Sequence, residues 1–286
     1  MRKGGYRSWL YVGPALLILT FFLVYPVFDT FRLSLYGPNS EKFVGLKNYI
    51  FAFTSTTMLQ AFKNNVIWLI FFTIFTVVGG LVIAVLVDKV EYESTAKAVI
   101  FLPQAISFVG AGVIWKFVYD YNPDVGLLNG ILTAIFPNFD PVGWLVNSNV
   151  ATYAIIGVGI WMWTGFAMII FSAAIKGIPD EIIDAARVDG ANAWQMFWQI
   201  TVPMIASTIA VVATTLIITV LKIFDLIYVM TNGNYNTNVI ANQMYKELYI
   251  NRNNGRASAI AVVLLLAIVP VMLVNIQRFQ EQEAQR

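Results

Sequence analysis

Residues 176–203 are the part of the chain whose residue types and spacing best suit a defined chemical task, which is docking rather than catalysis. The segment reads KGIPDEIIDAARVDGANAWQMFWQITVP. Gly190 predicts a left-handed helix end, and Asn192 with Gln195 predicts a capping box that opens a second helix, which Pro203 is expected to limit. The pattern therefore predicts a helix-turn-helix outside the apolar runs of the chain.

Acidic and aromatic residues mark the two helices of this segment. Asp180 and Glu181 fall in the first turn of the first helix, where the helix dipole favours negative charge. The second helix carries Trp194, Phe197 and Trp198, a large aromatic surface for a short element. Such a surface either docks in a groove on a partner protein or lies at the membrane interface, and the pattern alone leaves both open.

A second set of residues lies within the apolar runs and could contact a solute that crosses a membrane. The neutral members combine hydrogen-bonding groups with aromatic faces, although each is also explained by helix packing. Lys222 and Asp225 are three residues apart, so they either pair on one helix face or serve a cavity. Pro103 is expected to bend or break its helix beside Gln104. The candidate path residues are Gln104, Ser107, Trp115, Trp161, Thr215, Lys222 and Asp225.

Composition excludes most catalytic chemistry. The chain contains no cysteine and no histidine, which removes thiolate nucleophiles, imidazole bases and the usual metal-ligand sets, so no metal site is predicted. No GxxxxGK[ST] motif occurs, so nucleotide binding is expected on another polypeptide. The net charge of +2, without a basic run, indicates no nucleic-acid partner.

The elements that must position these residues are membrane-spanning helices. The chain is 58% hydrophobic and 12% charged, about half the charge of a soluble globular protein. Six uncharged runs are long enough to cross a bilayer, and none alternates with a period of two, which predicts an all-α protein forming a single domain over residues 1–286 and embedded in lipid. The predicted spans are roughly residues 10–31, 64–87, 98–118, 153–175, 205–229 and 257–277. Two shorter runs, residues 48–62 and 125–139, are predicted to be surface or interfacial segments.

Six spans place both termini on the same side of the membrane. Basic residues are nearly balanced between the two sides, so Arg2, Lys3 and Arg7 beside the first span decide the orientation, with the termini and residues 176–203 in the cytoplasm. The N-terminal stretch has the basic start of a secretory signal. Its apolar run is longer than that of a signal and no small-residue cleavage site follows, so a retained first span is expected.

The spacing in residues 176–203 resembles the EAA loop of the membrane subunits of binding-protein-dependent ABC importers. The matching residues are Asp184-Ala185-Ala186, Asp189-Gly190-Ala191, Phe197, Ile200 and Pro203. The acid of the triplet is usually Glu in this family, and Asp184 keeps the charge but shortens the reach. Other segments resemble the carbohydrate-uptake branch of this family: FVGLKNY at residues 43–49, FLP at 101–103 and FDLIY at 224–228. FVGLKNY and the form of the N-terminus resemble the first of that branch's two permease types. After Thr231 the chain lacks the Gly-Gly-Pro turn that members often show, which bears on contacts with the binding protein.

The resemblance implies a type I importer permease with six transmembrane helices and a cytoplasmic coupling helix, located in a bacterial-type cytoplasmic (inner) membrane. It implies a second permease subunit in a heterodimer, two ATPase subunits that bind ATP and Mg, an external substrate-binding protein and a sugar substrate. This chain would then bind no cofactor and would not be an enzyme, and Asp184 would lie near a basic group of an ATPase subunit. The implied ATPase-coupling residues are Glu181, Asp184, Ala185, Ala186, Asp189, Gly190, Ala191, Trp194 and Phe197.

Within the branch, the stretch FLPQAISFVGAGVIWKFVYDYN is similar to permeases for α-glucosides and related small glycosides, including glucosylglycerol. The alternative within the same importer class is glycerol phosphate, another polyol or another oligosaccharide, and Lys222 is the residue that would favour an anion. The alternative from another class is a stand-alone channel or secondary carrier. A carrier would need several intramembrane carboxylates or histidines as a relay, whereas the predicted spans offer only Asp29 and Asp225, each near an end of its span.

Overall fold

The computed structural model of the protein describes residues 5–136 and 138–284, and this part of the chain is almost entirely helical. Its one isolated extended pairing is an antiparallel bridge between Tyr36 and Phe43. Arg2 and Lys3, which bear on the predicted orientation, lie outside the described residues. Within the described residues the α-helices are α1 (Gly5–Leu19), α2 (Tyr25–Ser34), α3 (Lys47–Thr54), α4 (Thr56–Val87), α5 (Glu93–Phe101), α6 (Phe108–Val118), α7 (Leu127–Ile135), α8 (Ala151–Lys176), α9 (Asp180–Val188), α10 (Ala193–Gln195), α11 (Val202–Met204), α12 (Ala206–Leu221), α13 (Asp225–Met230), α14 (Ile240–Tyr245) and α15 (Asn254–Ala284).

Six spans are obtained from these helices, four of them continuous and two bent. The continuous spans are Tyr11–Ser34, Thr56–Val87, Ala151–Lys176 and Asn254–Leu273. The bent spans are Glu93–Ala105 with Phe108–Val118, and Ala193–Met204 with Ala206–Leu221. Counting each bent pair as one span gives the all-α, six-span architecture that the composition predicts. The first half of the second pair, Ala193–Met204, lies almost entirely in residues 176–203, which the sequence predicts outside the membrane, so the apolar part of span five begins after the bend, at Ala206.

Span three is broken where the proline predicts. Pro103 lies in a short 3-10 turn, and the two halves of the span meet at an angle of 100°. Ile106 and Ser107 are extended at the break, and the Ser107 hydroxyl then accepts a hydrogen bond from the Gly110 N–H at 3.0 Å, which caps α6. The prediction of a bent or broken helix at Pro103 is confirmed.

The second bend lies beyond the residue that the sequence indicates. Pro203 is expected to limit the second helix of residues 176–203, yet it lies inside α11, and the bend of 68° falls at Ile205. The preceding turn, Met196–Thr201, is a π-helix. Its wider turn accommodates the proline ring, which would otherwise clash with the carbonyl four residues earlier, so the helix continues past Pro203.

The contacts divide the chain into two compact units, which are described separately. One contains the residues up to Leu59 and Gln243–Leu266, and the other contains Gln60–Asn242 and the residues from Ala267. The single domain inferred from the sequence stays a prediction.

The first unit is fastened by polar contacts around α3. The buried Asn48 side chain donates to the carbonyls of Ser34 and Tyr36 at 2.8 and 2.7 Å. At the start of α15, a Cβ on Gly255 would lie 1.9 Å from the Tyr36 carbonyl oxygen, so only glycine fits there. The Arg256 guanidinium lies over the Phe51 ring at 4.0 Å.

The second unit has α8 at its centre. Fully buried residues of this helix, such as Ile155 and Phe171, share one apolar core with Trp68 of α4 and Leu216 of α12. Close approach to α5 requires a small residue, because a Cβ on Gly165 would lie 2.4 Å from the Ile100 carbonyl oxygen. Span four is therefore packed on several sides by the helices that precede and follow it.

Several helices extend beyond the predicted boundaries. The segments predicted at residues 48–62 and 125–139 are largely helical: α3 and the start of α4 occupy the first, and α7 occupies the second. Ser55 supports the early start of α4, since its hydroxyl accepts a hydrogen bond from the Met58 N–H at 3.3 Å. The 32 residues of α4 span about 48 Å, longer than a hydrocarbon core of about 30 Å.

Candidate functional site

The predicted helix-turn-helix is present in residues 176–203, which we call the coupling segment. Helix α9 starts after Pro179, and its first turn carries Asp180 and Glu181. Gly190 follows with a φ of +80°, and the Ala191 N–H donates to the Ala186 carbonyl at 3.0 Å to close the turn. The left-handed helix end predicted from Gly190 is confirmed.

The second helix of the coupling segment opens with the predicted capping box. The Asn192 side chain accepts from the Gln195 N–H at 2.9 Å, and the Gln195 side chain accepts from the Asn192 N–H at the same distance. These reciprocal bonds satisfy backbone donors at the helix start. The turn between the helices is thus fixed on both sides, by glycine geometry before it and by side-chain capping after it.

Apolar side chains project from the coupling segment. Val188 is 88% exposed, Trp194 is 71% exposed and Trp198 is 50% exposed. The two tryptophan rings contact each other edge to face, with centroids 5.6 Å apart. Phe197 differs, because its half-buried ring lines a pocket beneath the segment. The aromatic surface predicted from the sequence is therefore divided, because Trp194 and Trp198 are exposed whereas Phe197 lines the pocket.

The acidic and small residues of the coupling segment are mostly exposed. Asp184 pairs with Arg187 at 2.9 Å, and both side chains are 67% exposed. An exposed pair of this kind contributes about 0–1 kcal/mol and can exchange partners readily. Glu181, Ala185 and Asp189 are also exposed, whereas Ala186 is buried and Ala191 is half-buried.

A pocket of about 760 Å³ separates the coupling segment from the ends of two spans. Its lining includes Asp88 and Lys89 after α4, Ile175 near the end of α8, and Ile183 and Phe197 from the coupling segment. A partly apolar cleft therefore lies between the coupling segment and the ends of α4 and α8.

An ionic cluster beside this pocket was not predicted from the sequence. Lys97 of α5 contacts the Asp88 carboxylate at 2.6 Å, the Glu93 carboxylate and the Ser172 hydroxyl. Glu93 also contacts Lys176, the last residue of α8. The cluster joins spans two, three and four at the point where the chain enters the coupling segment. The stretch DKVEYESTAK is visibly charged, but its pairing with α8 cannot be read from one sequence.

The family of the chain is shown by its sequence. The family of binding-protein-dependent transport system inner membrane components matches residues 14–285. The chain belongs to this family. The protein is therefore a membrane-spanning permease subunit of an importer, as the EAA-like spacing of the coupling segment indicates.

Two relatives are similar to this permease over nearly its whole length. The osmoprotective compounds uptake permease protein of Synechocystis sp. is 58% identical over 281 residues, covering 97% of this chain and 100% of the relative. The alpha-glucoside transport system permease protein of Rhizobium meliloti is 45% identical over 276 residues, covering 95% and 82%. Both similarities include the coupling segment and the spans.

The fold of the permease matches a solved importer. A bacterial ABC transporter for the import of the acidic polysaccharide alginate aligns with a TM-score of 0.82 and 25% identity, covering 96% of each chain. The alginate transporter in complex with an alginate pentasaccharide-bound periplasmic protein aligns with a TM-score of 0.81 at 25% identity, covering 94% of this chain and 93% of that one. The type I importer permease fold inferred from the resemblance is confirmed.

The candidate path residues of the permease fall into two groups. Trp115 and Trp161 are brought together, with ring centroids 5.5 Å apart, although they come from spans three and four. Gln104 and Ser107 both lie at the break of span three, and the Gln104 Oε1 atom is buried without a hydrogen-bond partner among the described residues. Thr215 instead donates to the Val211 carbonyl at 3.0 Å, as a packed helical threonine does.

The proposed helix-face pair of Lys222 and Asp225 is wrong. Helix α12 ends at Leu221, and α13 begins only at Asp225, after Phe224 with φ −142° and ψ −57°. The helical spacing that would align the two side chains is lost at this break. Both are exposed, and no ion pair joins them in the part of the chain that the structure describes.

A buried acid in the first unit was also missed. Glu247 is 2% exposed and accepts a hydrogen bond from the Gln243 amide at 2.9 Å, while Arg256 lies 3.8 Å away. It belongs to the segment between spans five and six, where no buried acid is predicted from the sequence. Burial of an acid there depends on the contacts of the first unit, which periodicity does not reveal.

Proposed function

We propose that this permease imports neutral sugars, as di- or oligosaccharides or small glycosides such as α-glucosides and glucosylglycerol. An external binding protein delivers the sugar, and two ATPase subunits supply the energy. The observation that carries the proposal is the coupling segment of a chain that belongs to the importer family. Its exposed apolar residues, which we call the tip, lie beside exposed acids; the tip consists of Val188, Trp194 and Trp198. A secondary carrier has less support, since the predicted spans contain no histidine and only two carboxylates, Asp29 and Asp225, each near an end of its span.

The sequence allows the exposed tryptophans either to dock on a protein or to lie at the membrane interface. The residues around the tip favour docking on a protein. Val188 is the most exposed of the apolar tip residues, and Asp184 and Asp189 are exposed beside it. Carboxylates are costly at lipid contacts, whereas an apolar centre with a polar rim is typical of protein interfaces. The ATPase subunit would hold ATP and Mg, in keeping with the lack of a phosphate-binding motif in this chain.

The substrate class is supported by the relatives and by the character of the candidate path. One relative is named for osmoprotective compounds and the other for alpha-glucosides. Trp115 and Trp161 offer aromatic faces, and Gln104 offers an unpartnered amide oxygen. Faces of this kind suit the C–H surfaces of sugar rings, and the amide suits their hydroxyl groups.

The assembly that we propose has a second permease in a heterodimer, with the termini and the coupling segment in the cytoplasm. The solved alginate transporter supports the place of a binding protein, because its structure includes a periplasmic protein loaded with a pentasaccharide. The positive charge of Arg2, Lys3 and Arg7 supports the orientation in a bacterial-type inner membrane.

The test is co-purification followed by reconstitution. The tagged permease is expressed with candidate second-permease and ATPase subunits from the same organism, and uptake of radiolabelled glucosylglycerol and maltose is measured in proteoliposomes with a candidate binding protein, with and without ATP. We expect the ATPase to co-purify and uptake to require both ATP and the binding protein. Sugar uptake without ATP by permease that retains no ATPase would instead establish a stand-alone carrier.

Glycerol phosphate is the second candidate, favoured by one observation. Lys222 is exposed and makes no ion pair within the described residues, so it could meet an anion. Competition in the same uptake assay separates the two substrates. Excess glycerol 3-phosphate should leave glucosylglycerol uptake unchanged, and its own uptake should equal that of empty liposomes.

A further inference from the structure

A second pocket, of about 580 Å³, lies at the opposite end of α8 from the coupling segment. One of its lining residues, Tyr119, donates from its hydroxyl to the Ala154 carbonyl at 3.0 Å, near the start of α8. The coupling segment follows Lys176, at the other end of this 26-residue helix. A helix of that length spans about 39 Å, enough to cross the bilayer. If the coupling segment is cytoplasmic, this pocket faces outside.

The pocket combines aromatic faces with charged side chains of both signs. Tyr119, Trp144 and the 45% exposed Tyr235 supply the rings. Lys116 and Asp120 supply the charges, and no ion pair joins them in the described part of the chain. Lys116 donates to the Val229 carbonyl at 3.4 Å, and one Asp120 carboxylate oxygen accepts from the Asn122 N–H at 2.9 Å, which leaves further donor and acceptor positions on both groups. Donors and acceptors are therefore available together without net charge, which suits a neutral polyhydroxylated ligand.

The walls of this pocket are fixed by one fully buried residue. The Asn129 amide donates to the carbonyls of Asp120 and Val142, both at 2.9 Å, and its Oδ1 atom accepts from the Trp144 indole N–H at 3.2 Å. Both sides of the pocket are thereby held in place before any ligand arrives. Binding then requires little reorganisation, which is the condition for a preformed site.

A series of ring contacts leads from the pocket to the candidate path. Trp144 contacts Tyr119 with centroids 6.0 Å apart, Tyr119 contacts Trp115 at 5.0 Å, and Trp115 contacts Trp161 at 5.5 Å. Trp115 and Trp161 were selected from the sequence as path residues, whereas Tyr119 and Trp144 extend the series to the pocket. Successive aromatic faces offer a sugar ring similar contacts along the way.

We propose that this pocket is a glycoside-binding subsite that receives the sugar ring before it enters the membrane-spanning path. The proposal rests on the proposed function and adds a named site to it. In this subsite Tyr235, which lies in the segment after α13, covers the sugar ring. Lys116 and Asp120 contact the hydroxyl groups of the sugar. A surface for the binding protein is the competing use of the same residues.

Tyr235→Asn is the variant that tests the subsite. Tyr235 has a φ of +53°, a conformation that Asn adopts more readily than other non-glycine residues, so the change removes the ring with little backbone strain. The matched control is Tyr249→Asn, which removes a 64% exposed ring outside the pocket. The reconstituted transporter is assayed with binding protein saturated with glucosylglycerol or maltose, and the affinity of the sugar-free binding protein for the transporter is measured separately.

We expect Tyr235→Asn to lower the uptake rate at saturating binding protein by about tenfold, with unchanged binding-protein affinity. Tyr249→Asn should match the wild type in both measurements. Wild-type uptake by Tyr235→Asn would overturn the subsite while leaving the proposed function intact. Lower binding-protein affinity with a wild-type rate at saturation would also overturn it and assign the pocket to protein docking. If the wild type itself imports neither sugar, the proposed function fails.

Discussion

The Lys97 ammonium group lies 2.6 Å from the Asp88 carboxylate and joins the start of span three to the end of span two. Both side chains are largely buried, at 14% and 12% exposed. Because Lys97 also contacts Ser172 of α8, three spans meet at one ammonium group. Movement of the coupling segment, which leaves α8 one turn later, would be transmitted through this contact.

Replacing Lys97 by Met should destabilise the permease and loosen coupling. The change leaves the Asp88 and Glu93 carboxylates near each other without their shared cation, which should lower the free energy of unfolding by roughly 2–4 kcal/mol. Thermal unfolding in detergent measures the loss, and the sugar transported per ATP measures the coupling. Lys89→Met is the control, since Lys89 follows Asp88 in the chain, is exposed and makes no ion pair among the described residues. Equal melting temperatures for the two variants would refute the cluster's role.

Variants of Gly190 should show whether the coupling segment depends on the backbone conformation at this position or on the absence of a side chain. A Cβ at this position would meet nothing of this chain within 4 Å, so a defect within the permease would come from the backbone, through the φ of +80° and, for proline, through loss of the Gly190 N–H bond to the Arg187 carbonyl at 3.1 Å. Gly190→Asn should retain most uptake, whereas Gly190→Pro cannot adopt a positive φ and should abolish uptake or ATPase attachment while still inserting in the membrane. Membrane fractionation followed by co-purification distinguishes these steps, and full uptake by Gly190→Pro would contradict the coupling-helix assignment.

Trp194 should contribute to ATPase binding and little to folding. Its side chain is 71% exposed, so Trp194→Ala removes few internal contacts. If the tip docks in a partner cleft, a buried tryptophan there is worth about 2 kcal/mol or more, which corresponds to at least a thirtyfold weaker complex. Titration of the purified ATPase measures this affinity. Tyr249→Ala is the control, and equal affinity for the two variants would place Trp194 at the lipid interface instead.

Tyr119 gives the permease a pH dependence at the alkaline end. Burial raises the pKa of Tyr119 to about 12, against about 10 in an unfolded chain. Below pH 10 both states keep the proton, and between about pH 10 and 12 only the unfolded state ionises, so stability falls as pH rises. Tyr119→Phe should therefore show a shallower loss of stability in this window. Chemical unfolding in detergent at pH 9.5–11.5 checks this against Tyr249→Phe, and parallel curves would show that Tyr119 is not responsible.

Local rules predicted the coupling segment well. The left-handed Gly190 and the capping box of Asn192 and Gln195 each depend on residues a few positions apart, so their chemistry can be read directly. The break at Pro103 follows in the same way, from a missing N–H group and a bulky ring. Pro203 limits its helix one residue late, since a π-helical turn precedes the proline and the helix ends at Met204.

Contacts between distant parts of the chain could not be predicted. Ser172 is 75 residues from Lys97 and looks like an ordinary packing serine in an apolar run. The sequence also gives no signal that Glu247 is buried, because its burial depends on the packing of the first unit. The break before Asp225 has neither proline nor glycine to mark it, so a regular helix was the reasonable expectation.

The break in span three also changes which backbone atoms are bonded within the helix. The Gly110 N–H, which in a continuous helix would bond to the Ile106 carbonyl, instead donates to the Ser107 hydroxyl. Ile106 is extended, so its carbonyl points away from the helical ladder. If the sugar path passes this level, as Gln104 and Ser107 predict, the sugar encounters peptide groups as well as side chains. Recognition by the main chain would persist in every side-chain variant of this region, so scanning mutagenesis alone would undercount the groups that select the substrate.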